Sequence, residues 1–156
     1  MIIISPYSKK LTNGKTNPKN YPYWKELVSF INEPIVQVGI TGEEQLVDDF
    51  RKDLSLDELR SLVLECKTWI SVDSFFQHFC WDIGKSGIVL WGQSDPKIFG
   101  HEENINFLKD RSYLTPDQFL IWEQIPYRDD CWVKPEVVVE VLHKNISDNV
   151  LSNSPA

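Results

Sequence analysis

Continuous apolar runs alternate along this chain with segments of helical spacing. Ile2-Ile3-Ile4 has no polar interruption, as expected of a strand buried on both faces. Residues 5–20 are polar and contain Gly14 and Pro18, so they read as a loop. The loop is long for a connection between elements, and such loops in compact domains are often functional. Pro22 then opens a helix whose apolar positions Trp24, Leu27, Val28 and Ile31 fall three to four apart, and Pro34 ends it. Residues 35–39 form the next strand pattern, closed by the polar turn Thr41-Gly42-Glu43-Glu44, and residues 46–50 have short-strand character. Ser55 and Glu58 make a capping box for a helix with Leu56, Leu59, Leu62, Val63 and Cys66 on one face.

The most informative stretch is residues 69–96. A β-rich run ends at Asp73-Ser74, a helical segment follows to Gly84, and a second apolar strand ends in Gly92-Gln93-Ser94-Asp95-Pro96. Strand, polar tip, helix and strand make a βαβ unit with its tip at a strand's carboxyl end. Open α/β sheets bind ligands there, and the exposed amides of a new helix attract anions such as phosphate. Beyond it, residues 97–111 look irregular, and Thr115-Pro116-Asp117 restarts a helix through Gln124 that Pro126 closes. Pro135 begins a last helix over 136–144. The expected fold is therefore an α/β, Rossmann-like parallel sheet with helices on both faces. One domain spans 1–145, followed by a polar tail over 146–156. The strands are expected near 2–5, 35–39, 69–72 and 87–91, and their carboxyl ends should form one cleft edge lined by Ser8, Gly42, Asp73, Ser74 and Gly92.

Composition narrows the function classes. The net charge of −7 opposes a phosphate-tracking nucleic-acid surface, so no nucleic-acid partner is expected, although Lys9, Lys10, Lys15 and Lys19 form a local basic patch. The three cysteines, Cys66, Cys80 and Cys131, have no metal spacing, and their odd number disfavours a disulfide framework. They read as buried thiols of a reducing compartment. No signal peptide or membrane span is apparent, which points to the cytoplasm. Gly84-Lys85-Ser86 lacks the upstream glycine of a phosphate loop, and Gly-x-Gly-x-x-Gly is absent. Neither a metal nor another cofactor is expected.

The order of motifs resembles the C-terminal, donor-binding domain of the heptosyltransferase-like glycosyltransferases (family 9, GT-B fold). The matching residues are Ile2-Ile3-Ile4-Ser5-Pro6-Tyr7-Ser8-Lys9-Lys10, then Trp24-Lys25-Glu26-Leu27, the Gly-x-Glu turn at Gly42, and Ser55-Leu56-Asp57-Glu58-Leu59. Two later motifs follow in register, Asp73-Ser74-Phe75-Phe76-Gln77-His78 and Gly92-Gln93-Ser94-Asp95-Pro96. The resemblance covers roughly residues 1–145 and departs from the family at Phe75, where the family has glycine.

That resemblance implies a nucleoside-diphosphate sugar as ligand, with an ADP-sugar as first candidate. Asp73 and Ser74 would meet sugar and diphosphate, or else simply cap a helix. His78 would face the phosphates, or be a hydrogen-bonded histidine of the fold. Ser8, Lys9 and Lys10 would neutralise phosphate charge. Glu43 or Glu44 would take ribose hydroxyls, as an acidic residue does in dinucleotide folds. Asp95 reads as a turn residue, and Trp81, Trp91, Trp122 and Trp132 as core or cleft walls. The resemblance spans only the donor half, so a separate chain or self-association is expected to supply the acceptor half and the base. The competing reading is a nucleotide-binding or protein-interaction module without turnover.

Overall fold

The computed structural model describes residues 1–152, so positions 153–156 of the expected tail lie outside the described residues. Six parallel strands form one sheet: β1 (Ile2–Ser5), β2 (Ile35–Gly39), β3 (Phe50–Lys52), β4 (Thr68–Val72), β5 (Ile88–Trp91) and β6 (Ile105–Leu108). Their order is β3-β2-β1-β4-β5-β6. The chain thus starts in the middle, winds outward to β3, crosses back beside β1 and winds outward the other way. β1 and β4 are adjacent and in register, with Ile3 opposite Trp69, and the crevice between their carboxyl ends is the switch point of the sheet.

Side-chain alternation sorts the core into two layers. Ile2, Ile4, Ile70, Val72, Ile88 and Leu90 face α1 (Trp24–Phe30) and α5 (Pro135–Ser152), meeting Trp24, Leu27, Val138 and Leu142. Ile3, Val36, Val38, Trp69, Val89 and Trp91 face α2 (Leu56–Glu65) and α3 (Phe75–Ile83), meeting Leu62, Val63, Phe76 and Cys80. Apolar residues in both phases are what a strand covered on both faces requires. The Ser55–Glu58 capping box is present at α2. Gly84 ends α3 with φ of 84°, a left-handed conformation that glycine adopts without steric cost.

Four elements differ from the sequence expectation. β3 starts at Phe50 because residues 44–46 bond to the buried Gln37 side chain. Gln37 Nε2 donates to the Glu44 carbonyl at 2.8 Å, and Leu46 N–H donates to Gln37 Oε1 at 2.7 Å. This amide stitches down a β2–β3 connection that has no crossover helix. β6 lies in a stretch that reads as irregular because Asn106 interrupts a short edge run, although its Oδ1 accepts from Trp91 Nε1 at 2.9 Å. The helix expected from Thr115 does not form; only a 3-10 turn at Trp122–Gln124 appears. Gln118 instead anchors that loop over the end of β5, accepting from Asp95 N–H and donating to the Gln93 carbonyl, both at 2.9 Å. Finally, α5 continues past Lys144 to Ser152, because Ile146 still packs on the core.

Asp95 does hold a turn. It caps the short α4 (Pro96–Phe99), accepting from Lys97 N–H at 2.9 Å, while Arg111 forks onto both its oxygens. The guanidinium keeps its carboxyl below the ordinary range, against the effect of burial. The folded-state pKa is thus the lower one, so this stabilisation is present at neutral pH and lost as pH falls below the ordinary aspartate value. Asp95→Ala is expected to cost about 1 kcal/mol through the cap alone in urea unfolding at pH 7. The loss should shrink in strong acid. Equal losses at both pH values would refute it.

Candidate functional site

The switch-point cleft is built first by the long loop after β1. Asn17 and Asn20 fold it back on itself: Asn17 Nδ2 donates to the Lys9 carbonyl at 2.8 Å, and its Oδ1 accepts from Lys19 N–H at 2.9 Å. Asn20 Oδ1 accepts from Ser8 N–H at 2.8 Å. The result carries Lys19 back to the end of β4. Its ammonium lies 3.2 Å from Asp73 Oδ2, with its side chain 19% exposed, and rests 4.9 Å from the Trp122 ring centroid.

Asp73 directly follows β4 and is 4% exposed. Its Oδ1 accepts from Gln77 Nε2 at 3.0 Å. Its Oδ2 is at ion-pair distance from Lys19, but the alignment makes no hydrogen bond, so a buried acceptor is left unused. Ser74 occupies the N-cap of α3 without capping it; its hydroxyl donates to the Val72 carbonyl at 3.3 Å. The first-turn amides of α3 therefore receive no capping side chain. Phe75 projects beside them, 62% exposed.

Glu43 closes the cleft from the β2 side. Its Oε1 accepts from Ile40 N–H at 2.7 Å, folding the carboxylate against Gly39. A Cβ on Gly39 would lie 2.1 Å from that oxygen, so a side chain there would displace the Glu43 carboxylate. Burial raises the Glu43 pKa above the ordinary range. An acid just past the second strand is where dinucleotide folds hold ribose hydroxyls. Glu44 turns away, to Lys25 at 3.2 Å and the Tyr7 hydroxyl at 3.4 Å.

His78 lies one turn into α3 at the cleft rim, its Nδ1 2.7 Å from His101 Nε2. Partial burial and His101 lower its pKa.

One cleft of about 560 Å³ thus gathers Ser8, Lys9, Glu43, Asp73, Ser74 and His78. Lys10 and Glu44 line a neighbouring concavity of about 740 Å³ that shares Ser8, Lys9 and Glu43. The smaller cleft is the better candidate despite its size, because it contains the switch point and the open amides of α3. Gly42 and Gly92 line neither. Gly92 packs under Trp132, whose ring atoms would lie 2.6 Å from an added Cβ. Lys19 and His101 were not singled out for this cleft from sequence. Lys19 is one lysine of a basic patch, and its only local signal is its place three residues before the Pro22 helix start.

No family model and no curated protein sequence matches the chain. Solved structures do. The chain is similar to E. coli ADP-heptose lps heptosyltransferase II, at TM-score 0.66 and 17% identity over 96% of this chain and 47% of that one. The chain has the fold of half a heptosyltransferase. E. coli heptosyltransferase WaaC with ADP matches at TM-score 0.62 and 14% identity, over 92% of this chain and 43% of that one. The dodecameric iron-containing heptosyltransferase TibC, in complex with ADP-D-beta-D-heptose, matches at 0.63 and 13%, over 93% and 45%. The chain therefore spans under half the length of each. The expected Rossmann-like sheet, resembling one half of a GT-B enzyme, is what the structure contains. Among the described residues, no helix is long and apolar enough to cross a membrane.

Proposed function

We propose that the switch-point cleft binds a nucleoside-diphosphate sugar, serving as the donor site of a glycosyltransferase whose acceptor half lies elsewhere. The observation that carries this is the pairing of Lys19 with the unused Asp73 oxygen. A cation and a buried acceptor 3.2 Å apart suit a ligand that is both phosphorylated and hydroxylated. The first-turn amides of α3 add donors for phosphate oxygens. Glu43 supplies an acceptor for ribose. Lys9 and Ser8 border the same space, and WaaC and TibC were solved with ADP or an ADP-sugar. In transfer, Lys19 and the α3 amides would stabilise the departing diphosphate, as preorganised dipoles do. The acceptor half and its base would come from another chain, another segment or a second copy.

Phe75 favours a second reading, a nucleotide-binding module without turnover. A large ring beside the open amides restricts phosphate approach. On either reading the isolated chain should bind weakly, on the order of 100 µM or poorer. Titration calorimetry with ADP, GDP, UDP and an ADP-sugar tests the site. Saturable heat that Asp73→Ala removes for the sugar-bearing ligand is the expected result. No heat with any of them at millimolar concentration would reject it. Release of nucleoside diphosphate on mixing with an acceptor-half partner would separate transferase from binding module.

A further inference from the structure

His78 and His101 stand on different elements yet share one hydrogen bond, Nδ1 to Nε2 at 2.7 Å. His101 follows α4 and is held on two sides. Its carbonyl accepts from Asn106 Nδ2 at 2.9 Å, and its ring stacks on Trp81 with centroids 4.6 Å apart and planes at 10°. It meets His78 edge-on, at 82°. The stack on Trp81 sets the plane of the His101 ring, from which it can orient His78. A bond between two ring nitrogens needs one donor and one acceptor. It occupies His78 Nδ1, and among the described residues Nε2 makes no hydrogen bond. Three ionisable groups act on the His78 ring from neighbouring elements: His101 after α4, Asp73 at the end of β4, and Lys19 before α1. Partial burial, His101 and Lys19 hold it below the ordinary imidazole range, and Asp73 opposes them. A neutral His78 carries one ring proton, and its use depends on which nitrogen holds it.

We propose that His101 is a positioning residue for His78: it donates Nε2–H to His78 Nδ1 and so keeps the His78 proton on Nε2, as a donor toward an anion in the cleft. The ligand part of this rests on the nucleotide-sugar reading above. The opposite polarity would leave a lone pair on Nε2, which repels a phosphate oxygen. Trp81 contributes by fixing the plane from which His101 donates.

The test uses the full chain with ¹⁵N-labelled histidines and the variants His101→Phe and His101→Gln. Phenylalanine keeps a ring to stack on Trp81 and loses the donor; glutamine keeps a donor. In the wild-type protein at neutral pH, His78 is expected to show a protonated Nε2 and an accepting Nδ1. His101→Phe should give mixed tautomers and weaken ADP binding about fivefold, the worth of one hydrogen bond. His101→Gln should retain both the tautomer and affinity within about twofold of wild type. A His78 proton on Nδ1 in the wild-type protein, or His101→Phe with wild-type tautomer and ADP affinity, would overturn the assignment. If the wild-type chain binds no nucleoside diphosphate, the nucleotide reading fails. The spectrum of the free protein still decides the dyad, because it needs no ligand.

Discussion

Trp132→Ala is expected to remove about 3–5 kcal/mol of stability, the largest effect of any single truncation considered. The indole is 1% exposed and joins three parts of the chain. It covers Gly92 at the end of β5, meets Tyr21 edge-on at 5.6 Å and 79°, and donates from Nε1 to the Arg128 carbonyl at 3.0 Å. The Tyr21 hydroxyl in turn donates to the Val133 carbonyl at 2.8 Å. An alanine would leave a cavity that no single element can close, because its walls belong to the loop before α1, the sheet and the segment before α5. Loss on this scale is a large share of the roughly 5–15 kcal/mol typical of a domain. Urea unfolding should show a lower midpoint with an unchanged slope. The control is Phe119→Ala, whose ring is 78% exposed and should change stability by no more than about 0.5 kcal/mol. Similar losses for the two would mean that Trp132 does not close the core. Because Tyr21 lies two residues after Lys19, the Trp132 variant should also weaken any ligand that depends on that lysine.

The parts legible in the sequence were those fixed by local periodicity. β1, β2, β4 and β5 are apolar runs bounded by polar turns, and α2 announces itself with Ser55 and Glu58. Asp73 and Ser74 were readable because a strand runs into a helix there, which sets the edge of the sheet on which they must lie. What stayed illegible depends on contacts distant in sequence. The loop around Gln118 looks helical by composition, but its amide is committed to Gln93 and Asp95, more than twenty residues earlier. Gly92, at the end of a strand, reads as a residue of the cleft edge, whereas Trp132 claims the space above it. Lys19 shares its loop with Lys9, Lys10 and Lys15, and no local pattern says which ammonium reaches the cleft. Only the fold made by Asn17 and Asn20 decides that.

Lys19→Met is expected to weaken nucleoside-diphosphate binding more than tenfold, since hydrogen bonds to charged groups are worth about 1.5–3 kcal/mol. Methionine keeps much of the stem over Trp122 and removes only the ammonium, so the loss reports charge rather than packing. Asp73→Asn should behave differently. It releases Lys19 from its 3.2 Å partner, so ADP should bind as well as to wild type or better, while an ADP-sugar loses its anionic acceptor. The ratio of the two affinities, measured by calorimetry on the same variant, is the readout. A parallel fall for both ligands would mean that Asp73 only supports the cleft and does not touch the sugar. Stability supplies the cross-check. Removing the ammonium alone leaves a carboxylate 4% exposed with Gln77 as its one hydrogen-bond donor, a destabilising state. Pairing Lys19→Met with Asp73→Asn removes both charges, so the double variant should be more stable than the sum of the single losses predicts. Strict additivity would show that the two side chains do not interact in solution, and the donor–acceptor pair on which the nucleotide-sugar reading stands would be lost with it.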